Sequence, residues 1–204
     1  MVPSRIAIDI DSTLHHYWDQ LADVVRRRHG VELPYEEQTT WDIGAVPEEL
    51  IRKAVLETHS EAMVLAAVPY PDAVETVRAW HEAGHFIHIT SHRAPEAHDA
   101  TARWLQQVGL PYDDLHCSYD KVTRCVELGI DVLVDDSPVN LVRARERGIT
   151  GATIRHPWNA ELCEQEGFVC AEDWPALARA LEPRLRDGVR AKGIAPVHIQ
   201  QHPL

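Results

Sequence analysis

The sequence holds little cysteine, and what it has is not spaced for metal or redox work. Its four cysteines, Cys117, Cys125, Cys163 and Cys170, form no Cys-x-x-Cys pair and no metal-ligand spacing, so they read as reduced, mostly buried thiols of a cytosolic protein. No apolar run approaches the roughly 20 residues that span a bilayer, so no membrane partner is expected. Basic charge is also scarce: 20 Lys and Arg stand against 32 Asp and Glu, for a net charge of −12. Such a surface repels nucleic-acid backbones and anionic lipid, which excludes polymeric nucleic acid as an expected partner. The first strand pattern begins within about five residues of the start, leaving no room for a signal peptide, and a cytoplasmic location is expected. The 204 residues, 45% hydrophobic and 25% charged, suit one large domain or a domain with an insertion. There is no internal repeat and no low-complexity segment.

What is present begins at Arg5-Ile-Ala-Ile-Asp-Ile-Asp-Ser-Thr13. A short apolar run that turns polar reads as a buried strand of a parallel sheet. Ligands of open α/β sheets bind just beyond the carboxyl ends of the strands, where Asp9 and Asp11 stand. Alternation along an extended backbone leans both carboxylates to one side. Two anions so close repel unless a cation or a shared proton lies between them. The plainer reading is a strand end with one aspartate capping the next turn.

From about Leu14 to Pro71 the pattern is helical with loops and no convincing strand. Tyr17–His29 is predicted helical, with Gly30 as its stop, and Pro47–His59 forms a second helix with Pro at its first position. Then a βα rhythm sets in. Helices are expected from Pro71, from Pro95, from Asp120 as cap, from Ser137-Pro138, at Asn159–Gln165 and from Asp173. Strands are expected at His85–Thr90, Leu115–Ser118, Asp131–Asp135, Gly151–Arg155 and Phe168–Cys170. Alternating strands and helices imply a doubly wound parallel α/β sheet of Rossmann-like type. The helical block is too long for an ordinary connection, so it is expected to be a small cap over the strand ends. The domain reading is therefore an α/β core of residues 1–13 and 71–187, a helical cap of residues 14–70, and a loose C-terminal tail of residues 188–204.

Four features then fall at one edge of this sheet: Asp9 and Asp11, Thr90-Ser91, Lys121 at a helix start, and Asp135-Asp136. Singly, each has a plain explanation as a turn, a cap or a surface lysine. Together and in this order they resemble the haloacid dehalogenase-like (HAD) phosphohydrolase superfamily. Within it, the chain resembles the 5′(3′)-deoxyribonucleotidase group and its bacterial relatives. That likeness is carried by the helical block after the first motif, Val68-Pro-Tyr-Pro-Asp-Ala-Val-Glu, Ile89-Thr-Ser-His-Arg93, Ile130-Asp-Val-Leu-Val-Asp-Asp-Ser-Pro138 and His156-Pro-Trp-Asn159. Many relatives have Gly where this chain has Ser12.

The resemblance implies a phosphohydrolase that uses Mg²⁺ as cofactor and a small phosphomonoester as substrate, with a 5′-nucleotide the leading candidate. The implied ligands are Asp9, Asp135 and the backbone carbonyl of Asp11, with Asp136 orienting a metal-bound water. Asp9 is the implied nucleophile and Asp11 the acid, then base. Thr90, with Ser91, and Lys121 are implied to bind the phosphoryl oxygens. Asp11 speaks against dehalogenation, because halide leaves without a proton.

Around this set, Trp41, Tyr17, Trp18 and Tyr35 can stack on a base or form core. Arg93 can pair with phosphate or enter a salt bridge. His15 and His16 follow the Asp-x-Asp motif and can touch substrate, but as two of 13 histidines they read as solvent-exposed or structural, and Trp158 reads as packing. Three other readings stand beside the nucleotidase one: the same chemistry on a sugar phosphate or another acceptor, a catalytically weak binding or regulatory protein on the same fold, and a receiver-type phospho-acceptor domain. The last does not explain the Asp-x-Asp spacing or the inserted block.

Overall fold

The computed structural model describes residues 3–118 and 120–187; the expected loose tail, 188–204, lies outside the described residues. The chain runs β1 (Arg5–Ile8), α1 (Tyr17–His29), α2 (Glu48–Thr58), α3 (Glu61–Leu65), α4 (Ala73–Glu82), β2 (Phe86–Ser91) and α5 (His98–Val108). It continues through β3 (Asp114–Cys117), α6 (Lys121–Glu127), β4 (Val132–Val134), α7 (Pro138–Glu146), β5 (Thr150–Ile154), α8 (Ala160–Cys163), β6 (Phe168–Ala171) and α9 (Trp174–Asp187). Short 3-10 turns occupy Tyr35–Glu37, Pro95–Ala97 and Pro157–Asn159.

Among the described residues the six strands form one parallel sheet in the order β3-β2-β1-β4-β5-β6. The chain builds outward from β1 to β3, returns, and builds the other way from β4. The reversal lies between β1 and β4, where the helices diverge and leave a crevice. Register sets the level of the crevice: Ile8 pairs with Ile89 on one side and Val134 on the other. The Asp9 N–H then donates to Val134 O at 2.8 Å, so the residues that follow β1 and β4 emerge side by side.

A parallel sheet needs cover on both faces, and the period-2 alternation of the strands assigns the two covers. Ile6, Ile8, Val132 and Val134 point to a large core with Trp80, Trp104, Trp174 and Leu181. Ala7 and Leu133 point the other way, to Val122, Cys125, Ile130 and Ala144.

Between β1 and α4, helices α1 and α2 have their own small core of Trp18, Leu21, Val24, Val25, Val46 and Ala54, which Trp158 joins from the far end of the sheet. The two ends of this insertion behave differently. Leu14, Val64 and Ala67 belong to the main core, and Trp104 Nε1 donates to Ala67 O at 2.8 Å. α3 therefore joins the two cores: Val64 enters the main one, while Met63 packs against the small one. Two helix starts differ from the sequence pattern. α4 begins at Ala73 rather than Pro71, because Asp72 takes a left-handed conformation (φ 63°) that no helix accommodates. The segment from Pro95 first closes a 3-10 turn, and α5 proper starts at His98.

His88 is fully buried in the middle of β2. Its Nδ1 lies 3.0 Å from Asp114 Oδ2, within ion-pair range but out of hydrogen-bond alignment. Burial pushes its imidazole from 6.5 down to about 4, against the opposing pull of Asp114. Between those pH values the unfolded chain takes up a proton that the folded chain refuses, so this residue lowers stability as pH falls through that window. The urea midpoint of wild type is therefore expected to fall from about pH 7 to about pH 4.5 more steeply than that of His88→Leu. Equal slopes in the two proteins would remove His88 as a source of acid sensitivity.

Candidate active site

Each charged group reaches the crevice for a local reason. Asp9 lies one residue past β1 and is 4% exposed. Lys121 opens α6, whose N-terminus is capped by Asp120 accepting from the Thr123 N–H at 3.4 Å. Its Nζ donates to Asp9 Oδ1 at 2.6 Å and to Asp135 Oδ2 at 3.0 Å. Asp135 follows β4 and is fixed from its other side. The Ser137 N–H donates to its Oδ1 at 2.8 Å, and Asn140 Nδ2 spans both oxygens at 3.3 and 3.2 Å. Asp136 completes the group: Asp9, Asp135 and Asp136 bring carboxylate oxygens within 4.8 Å of one another.

Lys121 does not balance this charge. Burial raises Asp9 to about 7 despite Lys121, with Asp135 and Asp11 adding to the rise. Burial, then Asp9 and Asp135, hold Asp136 well above the ordinary carboxylate range. Burial alone would neutralise Lys121, but Asp135 and Asp9 override it and keep the ammonium protonated. Buried hard oxygens with surplus negative charge and one fixed cation are a donor set that suits Mg²⁺; Asp9 and Asp135, with the backbone carbonyl of Asp11, are the groups that would hold it, and Asp136, within the same cluster, would orient a metal-bound water.

Asp11 is held apart from that group. Arg93 grips it through Nη2 to Oδ1 at 2.7 Å and Nε to Oδ2 at 3.2 Å. His15 Nε2 lies 3.0 Å from Oδ1, and His59 Nε2 lies 3.5 Å from Oδ2. Burial would raise Asp11, but Arg93, with hydrogen bonds to His15 and His59, holds it well below the usual range. His59 stands at the C-terminal end of α2, so the insertion reaches this carboxylate directly.

Asp9, Asp11, Lys121, Asp135 and Asp136 line one cavity of about 240 Å³, which Tyr17, Trp41 and His59 help to close from the insertion side. A second chamber, of about 500 Å³, adjoins it. The two share Ser12, Tyr17, Trp41, Val55 and Asp136; the chamber adds Trp18, Ile51, Trp158 and a rim with Gln38, Asp42 and Glu48. Thr90, Ser91 and Arg93 do not line either space. Thr90 Oγ1 is buried with no partner. Ser91 Oγ lies 3.5 Å from Asp11 Oδ2 and accepts the Arg93 N–H at 3.3 Å. Arg93 is 1% exposed and divides its guanidinium between Asp11 and Thr101, so of the two pairings open to it in the sequence it makes the salt bridge. His15 is buried, not solvent-exposed. The structural reading of His15 fits this placement, beside Asp11 and four residues from it; His59, one of 13 histidines, carries no signal in the sequence.

A doubly wound parallel sheet whose carboxyl edge gathers Asp-x-Asp, Lys and Asp-Asp is the architecture of a HAD-type hydrolase. The solved HAD family hydrolase from Deinococcus radiodurans R1, with bound phosphate and sodium, superposes with a TM-score of 0.65 at 19% identity, covering 90% of this chain and 96% of that one. Within that class, residues 3–180 match the family described as "5' nucleotidase, deoxy (Pyrimidine), cytosolic type C protein", and the chain belongs to this family of phosphoric monoester hydrolases. It is 26% identical over 160 residues to a "Putative 5'(3')-deoxyribonucleotidase" of Chlorobaculum tepidum, covering 71% of this chain and 75% of that protein. A "Putative nucleotidase" of Oceanobacillus iheyensis is 28% identical over 149 residues, covering 67% and 79%.

The raised pKa of Asp9 means that its ionised form costs stability above about pH 7 and that this cost fades as pH falls through that value. In chelator, Asp9→Asn is expected to be more stable than wild type at about pH 8, by on the order of 2–4 kcal/mol, with the gap closing towards about pH 4. Denaturant titrations at the two pH values measure it. An Asp9→Asn protein no more stable than wild type at the higher pH would contradict the crowded-carboxylate account.

Proposed function

We propose that the protein hydrolyses nucleoside 5′-monophosphates with Mg²⁺ as cofactor, by way of a phosphoryl group carried on Asp9. The observation that carries this reading is the shared wall of two spaces: the carboxylate cavity with Lys121 has Ser12, Tyr17, Trp41, Val55 and Asp136 in common with an aromatic chamber of about 500 Å³. A phosphate dianion is repelled by four aspartates. Mg²⁺, when bound, supplies the missing positive charge and screens the phosphoryl oxygens from the carboxylates.

The chain's own groups do the rest. An Asp9 oxygen attacks phosphorus, and the bond to the ester oxygen breaks. Asp11 gives its proton to that oxygen, then takes one from the water that attacks the aspartyl-phosphate; phosphate leaves and the Asp9 carboxylate is restored. Lys121 offsets charge spreading over the phosphoryl oxygens. Thr90, whose hydroxyl is buried without a partner at the carboxyl end of β2, and Ser91 lie outside the cavity lining, so their donation to a phosphoryl oxygen requires the substrate to displace that wall. Asp11 is an ionised carboxylate in the grip of Arg93, so before it can deliver a proton it must turn off that guanidinium and take a proton from solvent as substrate enters. Arg93 acts on Asp11 rather than on substrate.

The chamber argues for a nucleotide over a sugar phosphate. Tyr17, Trp18, Trp41, Ile51 and Val55 offer flat aromatic and aliphatic surface, which suits a base better than a polyol. The inserted helices, acting as a cap, supply nearly all of it.

Phosphate release from nucleoside monophosphates, sugar phosphates and p-nitrophenyl phosphate tests the reading. Nucleotides are expected to be the best substrates, with activity lost in chelator and restored by Mg²⁺. Asp9→Asn is expected to lower kcat on the order of a thousandfold or more while remaining folded. Trp41→Ala is expected to raise KM for nucleotides about tenfold, the size of one lost base stack. Folded wild-type protein that releases no phosphate from any of these esters with Mg²⁺ present would overturn the proposal.

A further inference from the structure

His156 takes no part in the chemistry above, yet few side chains are placed more narrowly. It follows β5 and is 3% exposed. Its Nε2 lies 2.7 Å from the carbonyl oxygen of Ser12, and its Nδ1 lies 2.7 Å from the hydroxyl of Tyr35 in the insertion. Its ring stacks on Trp158 at 4.5 Å and 3°. A carbonyl only accepts, so Nε2 carries the proton. Nδ1 is then the acceptor, and the Tyr35 O–H donates to it. The two bonds select one neutral tautomer.

The far end of this relay is the turn after Asp11. Ser12 has φ 58° and shares a left-handed backbone with only one other non-glycine residue among those described, Asp72. A residue with a side chain is strained there, and the His156 bond to its carbonyl helps hold it. Three residues on, Asn159 Nδ2 donates to the Asp136 carbonyl at 3.3 Å, to Ile154 O at 3.1 Å and to Thr153 Oγ1 at 3.0 Å. Asn159 Oδ1 in turn accepts the His156 N–H at 2.8 Å. One short segment thus grips the loop that bears Asp9 and Asp11 and the loop that bears Asp135 and Asp136.

We infer that His156 is a positioning residue for the hydrolysis: its Nε2–H fixes the Ser12 turn, and so the aim of the Asp9 and Asp11 carboxylates, and its Nδ1 ties that turn to Tyr35 of the insertion. The inference rests on the hydrolase reading for its kinetic arm and on the ring tautomer alone for its structural arm. Packing by itself would predict lost thermal stability with kcat unchanged in the folded fraction. Positioning predicts a fall in kcat, because small misalignments of reacting groups cost rate rather than binding.

The test uses the full chain with Mg²⁺ and p-nitrophenyl phosphate, on variants shown folded by circular dichroism. His156→Leu is expected to lower kcat about tenfold to a hundredfold, with KM within about threefold of wild type. His156→Gln, whose amide can still donate to Ser12 O, is expected to recover most of that loss. Tyr35→Phe leaves the Ser12 bond in place and is expected to cost less than about tenfold. Nitrogen-15 NMR of the ring reads the tautomer without any turnover, and protonated Nε2 with bare Nδ1 is expected. A folded His156→Leu with wild-type kcat, a change in KM alone, no recovery in His156→Gln, or a ring protonated at Nδ1 would each overturn the inference. A wild type inactive on every ester would sink the hydrolase reading instead, and the tautomer would still decide the tie.

Discussion

The structure turns on one buried ammonium. Lys121 lies 2.6 Å from Asp9 and 3.0 Å from Asp135, and without it the carboxyl edge would bring like charges together in a medium that screens them poorly. The sheet creates that problem. Parallel strands in register deliver the residues after β1 and β4 to one level, and the reversal of strand order leaves a gap just there. Lys121 answers only part of it, since Asp9 and Asp136 remain hard to ionise. A surplus left standing in a folded protein is a cost, and the proposed divalent ion and phosphate ester would draw on that surplus.

The two aspartates of the Asp-x-Asp pair live in opposite surroundings. Asp9 sits among carboxylates and is raised; Asp11 sits against Arg93, His15 and His59 and is lowered. A nucleophile and an acid–base group need different behaviour from the same functional group, and environment is the means to separate them. The separation here is a resting one. In the proposed mechanism Asp11 serves as the acid only after it leaves Arg93, which holds it ionised at rest.

The sheet and the four charged clusters were legible because each belongs to a local pattern. Asp9 ends an apolar run, Lys121 follows a capping aspartate, and Asp135-Asp136 precede Ser-Pro. Period and capping survive in one dimension, so a reader of the chain can place these residues at strand ends and helix starts. The partners of Asp11 are not of that kind. Arg93 comes from beyond β2, His59 from the end of α2, and only their meeting in space gives them meaning. The same holds for His156, whose partners Ser12 and Tyr35 are far away in the sequence. Helix starts at Pro71 and Pro95 were misplaced by two or three residues, because proline signals a boundary without specifying the turn that precedes the helix.

The way the insertion is rooted has a mechanical consequence. Leu14 at its entry and Val64 and Ala67 at its exit are embedded in the core that supports the sheet, while α1 and α2 between them pack on a separate cluster. Both stems are anchored, so the two helices are not free to swing on a tether. The lobe of α1 and α2 is thus a span fastened at both ends to the core beneath the sheet, and its aromatic face is carried by two anchors rather than one.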